Sequence, residues 1–99
     1  MKIKFVQSGG IAGLTKEAEI DTDKTSKDET KFYQKIIDKS KFFQLQSKDT
    51  VPKPDMEQIF ITVEKEGQSH MVQLNILNIP KDLNPLIDDL KKRAQIKKH

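Results

Sequence analysis

A chain of 99 residues fits one domain, and on folding it hides roughly 65% of its extended surface, enough for one core but not for a deep enclosed pocket. With no cysteine, a disulfide frame, a thiol nucleophile and a thiolate metal site are excluded, and no apolar run is long enough to span a membrane. The net charge of +3 rests on lysine, with Arg93 the only arginine, so the arginine forks that nucleic-acid readers rely on are missing and the lysines read as a solvated surface.

The chain opens Met1-Lys2-Ile3-Lys4-Phe5, which alternates instead of running into an apolar block. That pattern argues against a secretory signal and points to the cytoplasm. From Lys2 to Ser8, Ile3 and Phe5 share one face while Lys2 and Lys4 share the other, as in a half-buried strand. Residues Leu14 to Asp21 repeat the pattern, with Leu14, Ala18 and Ile20 inward and Lys16 the exception on that face. Between the two lies Ser8-Gly9-Gly10-Ile11-Ala12-Gly13-Leu14. Its glycines accept positive φ at low cost, so the pair reads as a hairpin with a wide apex.

A helix follows. Ser26-Lys27-Asp28-Glu29 fits a capping box, with Ser26 accepting from the backbone and Glu29 reaching back. Phe32, Tyr33, Ile36, Ile37 and Ser40 then track one helical face, and Phe42-Phe43-Gln44-Leu45 closes the helix end onto the core. Residues 46–57 are polar and hold Pro52 and Pro54, so they read as a long connection. Alternation returns from Gln58 to Glu66, with Ile59, Ile61 and Val63 on one face. After a short turn through Gly67, His70, Val72, Leu74 and Ile76 line a fourth strand. Asn84 is a suitable cap with Pro85 at the first helical position. Leu83, Leu86, Ile87, Leu90 and Ala94 form the final stripe, with Asp88 and Asp89 in the first turn and Lys91, Lys92 and Arg93 later. The basic run from Lys91 to His99 then reads as a soluble, frayed end.

This order predicts an α+β fold, ββαββα, in which a four-stranded antiparallel sheet carries both helices on its apolar face. Its other face is wet, which accounts for the outward Lys and Glu residues.

Few constellations carry chemistry. A phosphate cradle at the glycine loop lacks the following Gly-Lys-Ser/Thr and a helix N-terminus, because a strand comes next. The loop is then either a plain hairpin apex or a protrusion presenting Ile11 and Leu14 to a partner's cleft. The only histidines are His70 and His99, with no His-Glu-x-x-His, so no metal site is expected and His70 reads as a partly buried structural residue. Ser8 beside glycines lacks the Gly-x-Ser-x-Gly context of a nucleophile. Asp55 with His70 makes an acid–base pair only if the long connection folds over the sheet. No catalytic residue is assigned and the chain does not read as an enzyme. The alternative to a cleft-binding protein is a non-catalytic adaptor or nucleic-acid-binding module, using the polar sheet face and the basic C-terminal tail.

Several segments together resemble the emfourin family, small bacterial protein inhibitors of thermolysin-like zinc metalloproteases. They are Ser8-Gly9-Gly10 with Ala12-Gly13, then Asp21-Thr22, Phe42-Phe43-Gln44-Leu45, Pro54-Asp55 before Phe60-Ile61-Thr62-Val63, Ser69-His70, and Leu83-Asn84-Pro85-Leu86-Ile87. The resemblance runs nearly the full length, so residues 1–99 read as one inhibitor domain. This chain departs from the family at three positions: Ile11 where an aromatic is common, Gln7 where arginine often precedes the serine, and Phe60 where tyrosine is usual. The resemblance implies inhibition of a zinc endopeptidase of the same bacterium, with the zinc belonging to the protease and no cofactor bound by the inhibitor. It implies a protease-binding set of Ser8, Gly9, Gly10, Ile11, Ala12, Gly13 and Leu14, which enter the protease cleft, and Asp55, whose carboxylate approaches the protease's zinc in the alternative mode. Nucleic acid and membrane are not expected partners, and the free chain is expected to be a monomer.

Overall fold

The computed structural model describes residues 1–8, 15–45, 58–75 and 79–97, with backbone alone at 75 and 95–97. The elements are β1 (Lys2–Ser8), β2 (Thr15–Asp21), α1 (Lys27–Ser40), β3 (Gln58–Lys65), β4 (Gln68–Asn75), α2 (Asn84–Arg93) and β5 (Gln95–Lys97). All strands pair antiparallel in the order β4-β3-β1-β2-β5. The expected four-stranded sheet is thus β2-β1-β3-β4, and a short fifth strand extends one edge.

The strand alternation becomes the core directly. Ile3 lies opposite Ile20 on β2 and Val63 on β3, while Phe5 lies opposite Ala18 and Ile61. Ile61 and Ile59 in turn face Val72 and Leu74 on β4. These side chains are buried on one face, under Tyr33, Ile36 and Ile37 from α1 and Leu86, Ile87 and Leu90 from α2. Lys2, Lys4 and Glu19 stay exposed on the other face, as do Glu64 and Met71. Because the buried strand residues share one face and one core cluster with the helices, a one-residue slip of any central strand would turn its apolar set to water.

Local chemistry sets the ends of α1. Ser26 Oγ accepts from the Glu29 N–H at 3.2 Å, which satisfies one of the helix's orphan donors. The other half of the expected capping box is altered: the Glu29 carboxylate meets the Ser26 hydroxyl at 3.3 Å and Arg93 at 3.2 Å. At the far end Lys41 takes the left-handed conformation, with φ of 53°. A single 3₁₀ turn, Phe42–Gln44, then drives Phe42 into the core at 0% exposure. Phe32, expected on the buried face, is 42% exposed and packs edge-on against Tyr33.

The α2 start corrects the sequence reading. Asn84 was expected as an extended cap, but a 3₁₀ turn over Lys81–Leu83 carries helical dihedrals straight into it, and its φ and ψ are −54° and −45°. That turn buries Leu83 completely, so core packing decides the entry and not the capping propensity of Asn84. The helix therefore begins earlier than expected, and Asp88 and Asp89 fall beyond its first turn.

The β3–β4 connection is a two-residue hairpin. Glu66 and Gly67 have φ of 52° and 79°, the paired positive values that match strand twist in a type I′ turn. The β1–β2 connection is much wider, since the last paired residues are Gln7 and Lys16.

Candidate functional site

The candidate site is built at one end of the sheet. Ser8 ends β1 opposite Gln58, the first residue of β3, and Gln58 lies opposite Asn75, the last residue of β4. Thr15 begins β2 at the same end, opposite Lys97 of β5. Both limbs of the wide hairpin are therefore anchored on their outer sides, the Ser8 limb by β3 and the Thr15 limb by β5.

That second anchor corrects the expectation of a frayed tail. Residues 95–97 pair with Glu17, Lys16 and Thr15, so the segment after α2 returns to the sheet. The helix ends at Arg93, and Ala94 turns extended, with φ of −68° and ψ of 137°. Nothing in the local composition of Gln95-Ile96-Lys97 distinguishes a three-residue strand from a helix continuing along a basic run. The pairing is a long-range event that periodicity does not report.

Of the predicted contact residues, Ser8 lies within the described structure, half-buried at the end of β1. Gly9, Gly10, Ile11, Ala12, Gly13 and Leu14 lie outside the described residues, as does Asp55, three positions before Gln58 in the chain. Gln7 continues the inner face of β1 and is 9% exposed, so it points toward the helix layer. The next-to-last residue of β1 is thus a buried polar one, and among the described residues no buried side-chain nitrogen or oxygen lacks a partner.

His70 is held as the sequence suggested. Its Nε2 donates to the Leu45 carbonyl at 2.7 Å, and its ring stands edge-on to Phe42 with centroids 5.6 Å apart. This contact ties the start of the long connection to β4. It also commits one ring nitrogen to a backbone acceptor, which leaves Nδ1 as the ring's remaining polar atom. Among the described residues no group of three His, Asp or Glu side chains is placed to hold a metal.

Away from the loop, sequence reasoning missed a polar cluster joining the two helices. The Tyr33 hydroxyl donates to Asp89 Oδ2 at 2.6 Å, and the same oxygen accepts from Arg93 Nε at 3.1 Å. Arg93 reaches on to Glu29, bridging the C-terminus of α2 to the N-terminus of α1. Burial first, and then the hydrogen bond to Asp89, pushes the Tyr33 phenol up to about 12. The Asp89 charge is the main cause holding the Arg93 guanidinium above its ordinary value. The i,i+4 spacing of Asp89 and Arg93 was the one legible signal, whereas Tyr33 and Glu29 lie 56 and 64 positions from their partners.

No described helix is long and apolar enough to cross a membrane. Fold and site together define a small α+β domain with a broad, braced hairpin and no catalytic constellation among its described residues. The family model Emfourin matches residues 5–91, and the chain belongs to the Emfourin family. Domains of this family are of the protease-inhibitor type, so the partner that family membership implies is a protease. Searches of the curated proteins and of the solved structures each returned no match.

Proposed function

We propose that this chain inhibits a thermolysin-like zinc metalloprotease of its own bacterium by inserting the Ser8–Leu14 loop into the active-site cleft. The Emfourin match carries the reading, since it runs from Phe5 within β1, through the hairpin, β2, α1, β3 and β4, to Lys91 within α2. Residues 1–99 act in it as one inhibitor domain, in the cytoplasm.

The mechanism is steric occlusion by the loop between β1 and β2. Ile11 or Leu14 fills the apolar specificity pocket and serves as the buried anchor on which interface energy concentrates. Glycines at 9, 10 and 13 let the backbone approach the cleft walls without a Cβ in the way. Anchorage of both limbs, by β3 and by β5, lowers the ordering cost of binding. Asp55 precedes β3, the strand that pairs with Ser8, and in the alternative mode its carboxylate approaches the protease's zinc. Arg93, the only arginine, is already engaged by Asp89 and Glu29, which weighs against nucleic acid as the partner.

The test is peptide cleavage by a thermolysin-like protease of the same organism with micromolar purified chain. Inhibition is expected, and Ile11→Asp or Leu14→Asp should abolish it with the far-UV spectrum unchanged. No inhibition by the unaltered chain would sink the assignment. Full inhibition by both variants would move the contact to the segment around Asp55.

A further inference from the structure

The open face of the sheet has two unlike regions. Charged side chains gather toward the end away from the wide hairpin, where Lys2 lies opposite Asp21 and Glu64, and Lys4 lies opposite Glu19. Nearer the hairpin, across β1, β3 and β4, the composition changes. Val6 lies opposite Phe60, and Phe60 lies opposite Gln73. Along β3 the next residues on the same face are Gln58 and Thr62. Phe60 therefore has four neighbours on the open face, Val6, Gln73, Gln58 and Thr62, and none is charged in a chain that is 33% charged. Charge bounds the region at Glu17, opposite Val6, and at Lys4, opposite Thr62.

Three apolar side chains join across these strands. Val6 and Phe60 are directly opposed, a pairing that sets Cβ atoms about 5 Å apart. Met71, opposite Thr62, is the diagonal neighbour of Phe60, at a spacing of about 7 Å that an aromatic and a long side chain can span. Both helices pack on the other face, while Val6 and Phe60 stay partly open to water and Met71 is 56% exposed. At the margin the Gln73 amide donates to Gln58 Oε1 at 2.9 Å, a polar border without charge. Aromatic and methionine side chains at a centre depleted of charge, with hydrogen-bonding groups around them, match the anatomy of a protein interface and not of a solvated face.

We propose that Val6, Phe60 and Met71 form a second contact with the target protease, on the wall beside its cleft, continuing the contact that the Ser8–Leu14 loop begins. The proposal rests on the inhibitor reading, and continuity is what selects the protease as occupant. Gln58, adjacent to Phe60 on this face, lies opposite Ser8, the residue at which the loop departs. Val6 is two residues before Ser8, about 7 Å along the strand. A cleft wall that lies against the open-face side of the loop root meets Phe60 first and Met71 next. The matching protease surface is apolar at its centre, with hydrogen-bonding groups in place of charges around it. Phe60 is the central anchor, because its uncharged neighbours exclude water around it once the two surfaces meet.

Two measurements on the full chain with a thermolysin-like protease of the same organism test this contact. The first follows oxidation of Met71 by dilute hydrogen peroxide, read by mass spectrometry of the peptide that holds it; binding should slow it several-fold. The second compares inhibition constants. Phe60→Thr keeps a strand-forming residue, and Met71→Glu changes a side chain that is mostly in water, so both should fold. Phe60→Thr should weaken inhibition about tenfold and Met71→Glu several-fold, while Glu64→Gln, in the charged region, should leave it unchanged. Full inhibition by Met71→Glu and by folded Phe60→Thr overturns the proposal, as does free oxidation of Met71 in the complex; the inhibitor reading survives both results. Met71 oxidation that slows with chain concentration and no protease assigns the patch to a second copy and overturns the proposal equally. An unaltered chain that does not inhibit removes the inhibitor reading itself, and this contact with it.

Discussion

The Tyr33–Asp89 contact can be tested with unusual directness, because Tyr33 is the only tyrosine and the chain has no tryptophan. Tyrosinate absorbance therefore reports one group. The phenol lies in the helix–sheet interface, 1% exposed, and donates to a carboxylate at 2.6 Å, so ionisation there would bury an anion against an anion. Burial is the larger cause of its rise to about 12 and Asp89 the next. Asp89→Asn removes the second cause and leaves the first. The midpoint should fall from about 12 but stay above the ordinary value of 10.0.

Stability follows with a definite sign. The folded-state value is raised, so the contribution is complete below pH 10.0 and is lost as pH climbs through about 12. The same substitution, measured at neutral pH, costs one charge-assisted hydrogen bond while an amide oxygen remains as a weaker acceptor. The Asp89 side chain is 27% exposed and its ion pair with Arg93 is half in water, so the pair adds little. A net loss of about 1–2 kcal/mol is expected, a fall in Tm of roughly 5–10 °C for a domain of this size. Absorbance and far-UV circular dichroism should be followed together across the alkaline range. Ionisation near 10.0 while the circular dichroism remains native would refute the reasoning, and so would an unchanged midpoint in Asp89→Asn.

Two further outcomes follow from the turn and the tail. Gly67→Ala meets no atom within 4 Å, so its cost comes from the positive φ alone, about 1 kcal/mol, and Gly67→Asn should cost less; thermal melts of both variants check this order. Ending the chain after Ala94 removes β5, and should weaken protease inhibition several-fold while the helices persist by circular dichroism. Equal inhibition by the shortened chain would show that the Thr15 limb needs no outer brace.

Much of the fold was legible because strand and helix periodicity is a local property. Ile3 and Phe5, Ile59, Ile61 and Val63, and Leu86, Ile87 and Leu90 announced their buried faces by spacing alone, and all are buried. Family resemblance made the hairpin legible as a candidate site, on glycines whose own structure lies outside the described residues. Asn84 shows where local reading fails: a good capping residue became helical because burying Leu83 extended the turn before it.

The sequence alone determined the types of β1 to β4, α1 and α2, most of their inward faces and the family, since these depend on residues close along the chain or on an ordered set of motifs. Tertiary structure decided which strands became neighbours, putting β1 at the centre, β5 beside β2 and β4 at an edge. It also gathered Tyr33, Asp89, Arg93 and Glu29 into one cluster. Such pairings join residues far apart in sequence, and their energies come from the contact itself, so no local pattern carries them.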